Sequence, residues 1–314
     1  MTLPESLETS KIVFYARGGG VGHFNRAYAI TRCLLNHGIK PLIISSSAFL
    51  PLAFSEQIQL LRWPGGLENN WPELQEVLLP TIKKLSPDLL IVDTFPEGPE
   101  NELQSYQGAR FFIQRDAEHS WHGPGIHARP EDHGYIINRS PEELLSRAQA
   151  RQCLRAETNQ PLILLTHNGN PAETTAFFWR LLKTLEPLNV SIRMASLLPC
   201  PRSEWQPYWI QHFPLSEWMN GVDLLIGGGG YNLVAEVQAY GVPALLTAFE
   251  RPIDQQAQRI QNLPHFHAHH TAASLRNQIQ KILSSPRPTP ESRCNGAQKA
   301  AELILNLLQS PALK

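Results

Sequence analysis

Short runs of apolar residues alternate with amphipathic stretches along most of this chain. The first half opens with an apolar run at residues 11–16, then a glycine-rich break, and then a stretch at 24–37 in which apolar positions recur at helical spacing. Strands that alternate with helices predict βαβ units and a parallel sheet. The same patterns predict further strands at 41–45, 87–93, 109–114 and 135–138, a helix at 71–85, and a loop at 119–135.

The second half of the chain repeats this alternation. Its apolar runs predict strands at 162–166, 190–195, 223–226 and 244–247, and its amphipathic stretches predict helices at 149–157, 172–185, 231–239, 257–262 and 295–308. A length of 314 residues suits two domains of about 150 residues each. We therefore expect two α/β domains, at 1–145 and 146–314.

Composition and charge narrow the class of protein. A net charge of −1 gives no basic surface for nucleic acid. The four cysteines (Cys33, Cys153, Cys200 and Cys294) are widely spaced, so they predict neither a disulfide framework nor a zinc site. The polar residues 1–10 do not resemble a signal peptide, and no apolar stretch is long enough to cross a membrane. We expect a cytoplasmic protein, and peripheral contact with a membrane stays open.

A glycine-rich segment at residues 18–23, GGGVGH, lies between the first strand and the first helix. Glycines let backbone N–H groups approach a ligand and a helix N-terminus favours anions, so Gly19, Gly20 and Gly22 are candidate binding positions. Serines 45–47 stand where a dinucleotide site needs an acid, and no P-loop lysine follows, which disfavours both of those sites. His23 either makes a structural hydrogen bond, contacts substrate hydroxyls, or acts as a general base whose pKa the helix dipole lowers.

A second glycine-rich segment, at residues 227–230, separates an apolar strand from a helix. Such a turn binds anions through its backbone N–H groups. Glu236 lies about two turns into the helix, where it is either a solvated residue or a carboxylate that accepts hydrogen bonds from a ribose diol. The candidate nucleotide-binding residues of this segment are Gly228, Gly229, Gly230, Tyr231, Asn232 and Glu236.

Two polar loops follow predicted strands, at the edge where doubly wound sheets bind ligands. Asp254, Gln255 and Gln256 open a helix and suit recognition of sugar hydroxyls, although Asp254 could equally serve as an N-cap. Asp93 ends a strand and Glu97 follows it; both are candidate general bases, with a capped turn as the alternative for Asp93. Two groups of histidines (His119, His122 and His127; His265, His267, His269 and His270) lack carboxylate or cysteine partners at metal spacing, so no metal site is predicted.

Together these segments resemble the GT-B glycosyltransferases, in particular the branch whose member adds N-acetylglucosamine to the lipid-linked peptidoglycan precursor. That branch has a Gly-Gly-x-Gly-Gly-His loop after its first strand, matched by residues 18–23 with Val21 at one glycine place. Its glycine turn and ribose-binding Glu are matched by residues 227–236, and its Gly-x-Pro strand and Gln-Gln loop by 241–243 and 255–256. Residues 93–98 and 115–116 are more similar to a group of predicted glycosyltransferases of the same clan.

The resemblance implies two Rossmann-like domains that face each other across a cleft, with the acceptor on the first and the nucleotide-sugar donor on the second. It also implies a C-terminal helix, at 295–308, that packs back on the first domain. Transfer would be inverting and independent of metal and cofactor, from a UDP-linked hexose or N-acetylhexosamine to an unidentified small-molecule, lipid-linked or glycan hydroxyl. The glycine turn would hold the diphosphate, and His23 or Asp93 would deprotonate the acceptor.

Two other functions fit the same residues. A nucleotide-sugar epimerase of the same fold would share the nucleotide pocket but turn over sugar without an acceptor. A non-catalytic binder would hold the nucleotide sugar and transfer nothing.

Overall fold

The chain divides into two compact units, one of residues 1–138 with 294–314 and one of residues 139–293. The structure is a computed structural model that describes residues 11–18, 20–47, 58–62, 71–115, 125–156, 159–251, 254–291 and 295–310. The division falls a few residues before the expected boundary at 145. The C-terminal segment, which we expected to count with the second domain, belongs to the first unit.

The first unit is built on a parallel sheet of six strands in the order β3-β2-β1-β4-β5-β6. The strands are β1 (Ile12–Ala16), β2 (Leu42–Ser45), β3 (Gln59–Arg62), β4 (Leu89–Asp93), β5 (Arg110–Ile113) and β6 (Ile126–Ala128). Every residue of β1, β2, β4 and β5 is buried, as expected for continuous apolar strands of a covered parallel sheet. The strand order reverses between β1 and β4, so ligand chemistry is expected beyond their carboxyl ends.

The helices of this half are α1 (Gly22–Leu35), α2 (Trp71–Leu85) and α3 (Pro130–His133). Helix α1 follows β1 directly after the glycine-rich segment, and it buries Phe24, Tyr28, Ile30 and Leu34. Residues 24–31 are buried without interruption, so the helix is covered on more than one side, by the sheet and by the C-terminal helix at 296–309. Helix α1 therefore fixes the residues of its first turn close to the carboxyl end of β1.

The second unit contains a parallel sheet of five strands in the order β11-β10-β7-β8-β9. The strands are β7 (Leu162–Thr166), β8 (Ser191–Ala195), β9 (Trp209–Ile210), β10 (Leu224–Gly228) and β11 (Ala244–Thr247). The helices are α4 (Arg147–Cys153), α5 (Pro171–Leu185), α6 (Tyr231–Ala239), α7 (Gln256–Ile260) and α8 (Ala272–Leu283). Here the strand order reverses between β7 and β10, and β10 ends in the second glycine-rich segment.

The C-terminal helix α9 (Gly296–Gln309) packs against α1 and α3 of the first unit. The side chain of Asn295 accepts a hydrogen bond from the N–H of Ala297 at 2.9 Å and caps the helix. A Cβ on Gly296 would lie 2.5 Å from the carbonyl oxygen of Tyr135, so only glycine allows this close approach.

Several elements differ from the sequence-based expectation. The sequence patterns did not predict β3, β6, β9 and α8, and α3 lies within the stretch expected to be a loop. Residues 135–138, expected to be a strand, pair with no strand of either sheet in the described part of the chain, although Ile136 and Ile137 are buried. None of the described helices is both long and apolar enough to cross a membrane.

Candidate active site

His23, Asp93 and Arg26 form a hydrogen-bonded group at the point where the strand order of the first sheet reverses. His23 and Arg26 lie in the first turns of α1, three residues apart and thus on one face of the helix, while Asp93 is the last residue of β4. The imidazole Nδ1 of His23 lies 2.6 Å from Oδ2 of Asp93. Arg26 donates to both oxygens of the same carboxylate, from Nε to Oδ1 at 2.7 Å and from NH2 to Oδ2 at 2.6 Å.

The protonation of this group follows from its charges. Burial alone would raise the pKa of Asp93, but the Arg26 charge and the hydrogen bonds from His23 and Arg26 outweigh it and hold that pKa far below its usual range. An ionised carboxylate only accepts hydrogen bonds, so Nδ1 of His23 must carry the proton in the 2.6 Å contact. Arg26 NH2 also lies near Nδ1, but at 3.4 Å it is too distant to decide the tautomer. A neutral His23 therefore has its free lone pair on Nε2.

Burial lowers the pKa of His23, and the neighbouring Asp93 only partly opposes that effect. The lowered pKa agrees with the sequence-based expectation, but its largest cause is burial rather than the helix dipole. The imidazole is neutral near pH 7 as a result. The His23 side chain keeps 18% of its surface exposed, whereas Asp93 keeps 1% and Arg26 keeps 2%. Of the three, His23 is the one that a substrate can reach.

Contacts with Thr94, Gly18 and Ser46 hold this group in place. Thr94 has a φ of 69°, a left-handed conformation that costs a β-branched residue free energy. Its hydroxyl accepts from Arg26 NH2 at 3.0 Å and donates to Asp93 Oδ2 at 3.1 Å. The His23 ring lies against the Cα of Gly18, where a Cβ would collide with it. The N–H of Gly18 in turn donates to Oγ of Ser46 at 3.3 Å, so a serine at the end of β2 holds the glycine-rich segment.

The other predicted site residues of the first unit are Gly19, Gly20, Gly22 and Glu97. Gly19 lies outside the described residues. A Cβ on Gly20 would meet no atom within 4 Å, so open space surrounds this position, and α1 begins at Gly22. Glu97 is half-buried, and its charge acts on the Arg110 guanidinium. Burial lowers the pKa of Arg110, and the negative charge of Glu97 opposes that shift.

In the second unit, the glycine turn after β10 packs against α7. A Cβ on Gly229 would lie 2.7 Å from Cγ2 of Ile260 and 3.3 Å from Cβ of Gln256, so the turn approaches the helix as only glycine can. Arg259 NH1 donates to the carbonyl oxygen of Gly229 at 3.0 Å, and Arg259 NH2 forms an ion pair with Oδ1 of Asp254 at 2.8 Å. The glycine turn and the Asp254 loop therefore form one structure.

The three polar residues of that loop have different environments. Gln256 is buried; its Oε1 accepts from the N–H of Phe249 at 3.0 Å and its Nε2 donates to Asp254 Oδ2 at 2.9 Å. The N-cap of α7 is Gln255, which is exposed and makes no side-chain cap, so Asp254 does not occupy the N-cap position that the alternative interpretation gave it. Asp254 and Gln256 shape the loop, while Gln255 faces solvent.

Helix α6 begins directly after Gly230, its N-cap residue, which has no side chain to cap the helix. Tyr231 is buried and Asn232 is half-buried in its first turn. Glu236 is only 7% exposed, so it is not a solvated residue of the helix surface. That burial excludes the solvated alternative, and the binding of a ribose diol by Glu236 stays a prediction.

A further group that the sequence analysis missed lies where the second sheet reverses its strand order. His167 directly follows β7; its Nε2 lies 2.7 Å from Oε1 of Glu173 on α5. Arg251, which follows β11, donates to both oxygens of Glu173, from NH1 to Oε2 at 2.9 Å and from NH2 to Oε1. The His167 ring stacks on Phe249 with centroids 4.1 Å apart, and its Nδ1 is 3.5 Å from where a Cβ of Gly228 would lie. This group forms a wall beside the glycine turn.

The sequence contains features that could have indicated Arg26 and His167 as site residues. Arg26 is a cation one helical turn after His23, and the acid at the end of an apolar strand needed a buried positive partner. His167 occupies the position after the first strand of its sheet, as the glycine-rich segment does in the first unit. From the sequence, His23 and Asp93 were alternatives for the role of general base, whereas in the structure they are hydrogen-bonded to each other.

Comparison with known proteins identifies the fold. No protein-family model matches the sequence, and no curated protein matches it significantly. Solved structures match nearly the whole chain. MurG of Acinetobacter baumannii has a TM-score of 0.58 at 14% identity, covering 95% of this chain and 99% of that one. The spinosyn forosaminyltransferase SpnP has a TM-score of 0.61 at 14% identity, covering 97% and 96%.

A third match is the glycosyltransferase SsfS6 of Streptomyces sp. SF2575, complexed with thymidine diphosphate, with a TM-score of 0.57 at 14% identity and coverage of 94% and 99%. At such identity, similarity establishes the fold. The two parallel sheets, their strand orders and this agreement over the whole length show that the chain has the fold of the GT-B glycosyltransferases.

Proposed function

We propose that this chain is a glycosyltransferase that moves a sugar from a nucleotide-diphosphate sugar to an acceptor hydroxyl, with inversion and without a metal, and that His23 is its general base. The observation that carries the proposal is the 2.6 Å contact between His23 Nδ1 and Asp93. This contact fixes the tautomer and leaves Nε2 of an accessible, neutral imidazole free to accept a proton.

The proposed reaction is a single displacement. Nε2 of His23 takes the proton of the acceptor hydroxyl as that oxygen attacks the anomeric carbon and the nucleoside diphosphate departs. Attack on the face opposite the leaving group inverts the configuration. The imidazolium that forms is stabilised by the Asp93 carboxylate on its other nitrogen, and Asp93, which is 1% exposed, acts as a positioning residue rather than as the base.

The second unit offers the features that a nucleoside diphosphate needs. The turn Gly228–Gly230 directly precedes the N-terminus of α6, so the backbone N–H groups of the turn and the helix dipole can stabilise the charge of the leaving diphosphate. Glu236 would accept the ribose hydroxyls, and Gln255 would contact the sugar. A fold shared with a glycosyltransferase that holds thymidine diphosphate supports a pyrimidine nucleotide, and we propose a UDP-linked hexose or N-acetylhexosamine.

The test is kinetic and uses two histidines of one segment. His23→Ala should lower kcat by on the order of 10²–10⁴ and leave donor affinity unchanged, because a general base acts in the transition state. His37→Ala is the matched control, since His37 is exposed just beyond the other end of α1. An unchanged kcat in His23→Ala would overturn the assignment of the base. Turnover of donor sugar into its epimer without an acceptor would identify an epimerase instead.

A further inference from the structure

The second unit contains a pocket that the proposed reaction does not use. It has a volume of about 480 Å³ and lies among the end of α6, the start of β11, α8 and the segment 285–291. Ala244 stands at the amino end of β11, whereas the glycine turn lies at the carboxyl ends of the neighbouring strands, where Gly228 pairs with Thr247. The pocket lies along the outer edge of β11, where Leu246 also lines it, and it contains none of the residues of the glycine turn. Its volume is typical of small-molecule sites.

The walls of this pocket are fixed by hydrogen bonds. The N–H of Glu291 donates to the carbonyl oxygen of Gln238 at 3.1 Å, and Arg287 Nε donates to that of Gly241 at 3.0 Å. These bonds attach both parts of the proline-rich segment 286–291 to the turn after α6. Gln278 Nε2 donates to the carbonyl oxygen of His265 at 3.0 Å and holds α8 in place. Such a pocket exists before a ligand arrives, so little ordering opposes binding.

The chemistry of the lining indicates an amphipathic ligand. Val242, Leu246, Leu263 and Ile282 give the pocket a largely apolar surface. Lys281 lies at its rim on an exposed position, and across the described residues no carboxylate is within ion-pair distance of its ammonium group. Glu291 also lines the pocket, but its Oε1 accepts from Gln238 Nε2 at 3.3 Å and is thus directed at α6.

We propose that this pocket binds a small molecule with an apolar body and a single carboxylate, the body lying on Val242, Leu246 and Ile282 and the carboxylate pairing with Lys281. Burial of the apolar body supplies most of the affinity, and the cation selects the charge of the headgroup. The site is a second one, independent of the nucleotide and of the acceptor.

Octanoate is the probe, measured by isothermal titration and ligand-observed NMR on the full chain, with octylammonium as the probe of opposite charge. Octanoate should bind saturably at one site, with a dissociation constant that UDP does not alter, and octylammonium should bind more weakly. Lys281→Gln should weaken octanoate binding about 3- to 10-fold, as expected for one partly exposed charge pair. Lys183→Gln on α5 is the matched control, because Lys183 lies over Trp179 and does not line the pocket.

Two more variants test the location. Ala244→Phe places a ring in the pocket and should abolish octanoate binding, while Glu291→Gln removes a negative charge from the lining and should strengthen it. Equal binding of octanoate and octylammonium, equal loss in Lys281→Gln and Lys183→Gln, or undiminished binding in a folded Ala244→Phe protein would each overturn the proposal. If Ala244→Phe does not fold, the comparison of Lys281→Gln with Lys183→Gln decides, because both positions tolerate a polar side chain.

Discussion

Replacing Asp93 by Asn changes one charge at the centre of the proposed active site. The carboxylate accepts two hydrogen bonds from Arg26 and one from His23, and Arg26 is 2% exposed. The amide keeps the shape of the side chain but leaves the Arg26 guanidinium buried without a counter-charge. Breaking one partner of a buried ion pair costs about 3–5 kcal/mol, because the remaining charge is desolvated and unpaired.

Hydrogen exchange measured by mass spectrometry can localise this loss, since it reports the first and the second unit separately. A loss of that size in the free energy of unfolding corresponds to roughly 10²–10⁴-fold faster amide exchange in β1 and β4, and exchange in β7 and β10 should not change. Asp88→Asn is the matched control: Asp88 precedes the same strand, but its pair with Lys11 spans 3.8 Å with both side chains largely exposed, so exchange should not change.

The stability that Asp93 contributes depends on pH. Because the pKa of Asp93 is depressed in the folded state, its contribution to stability is fully present above the unfolded pKa of about 4 and is lost as the pH falls below it. The difference between the wild type and Asp93→Asn should therefore be constant above about pH 5 and shrink in acid. A difference that is absent at neutral pH, or equal in Asp88→Asn, would refute the buried ion pair.

Three further predictions test other parts of the structure. Gly229→Ala should destabilise the second unit by about 1–3 kcal/mol in urea unfolding, because the new Cβ would collide with Ile260. Gly230→Ser is the control: its side chain would point into open space at an N-cap position, so the free energy of unfolding should not fall. Glu236→Ala should weaken nucleotide binding in titration calorimetry by about 1–3 kcal/mol, with exposed Glu250→Ala as the control; equal affinities would place the ribose elsewhere. His133 is completely buried, and burial lowers its pKa. The free energy of unfolding should therefore fall as the pH drops below the unfolded pKa of about 6.5, and His133→Gln should reduce that pH dependence. An unchanged dependence of the free energy of unfolding on pH would contradict the buried neutral imidazole.

Much of the fold was predictable because its central strands are apolar runs bounded by glycine-rich turns. The β1 strand, the glycine-rich segment and α1 follow from local pattern alone, as do β10, the glycine turn and α6. Helix α8 was missed because it buries only Leu275 and Ile279, and β3 because its four residues, QLLR, have a polar residue at each end. Short strands at the edge of a sheet form because they pair with a neighbouring strand, and the hydrophobic periodicity of the sequence does not encode that pairing.

The candidate site was only half predictable for the same reason. His23 stood out as a polar residue at the start of a helix, Asp93 as an acid at the end of a strand, and Glu236 as an acid about two turns after the glycine turn. Their partners did not, because Arg26 and Asp93 are far apart in sequence and meet only through the parallel pairing of β1 with β4. The proposal that His23 rather than Asp93 is the base depends on the burial of the Asp93 carboxylate against the Arg26 guanidinium, which only the structure shows.

The most direct test of the central claim is thermal unfolding of the wild type and of His23→Ala in a panel of UDP- and thymidine-diphosphate-linked sugars. The account predicts that at least one of them stabilises both proteins equally, by about 2.7 kcal/mol at a concentration one hundred times its dissociation constant. With an acceptor present, the wild type should then release nucleoside diphosphate on the order of 10²–10⁴ times faster than His23→Ala. No stabilisation by any nucleotide sugar at millimolar concentration, or release that is equally fast in His23→Ala, would contradict the account.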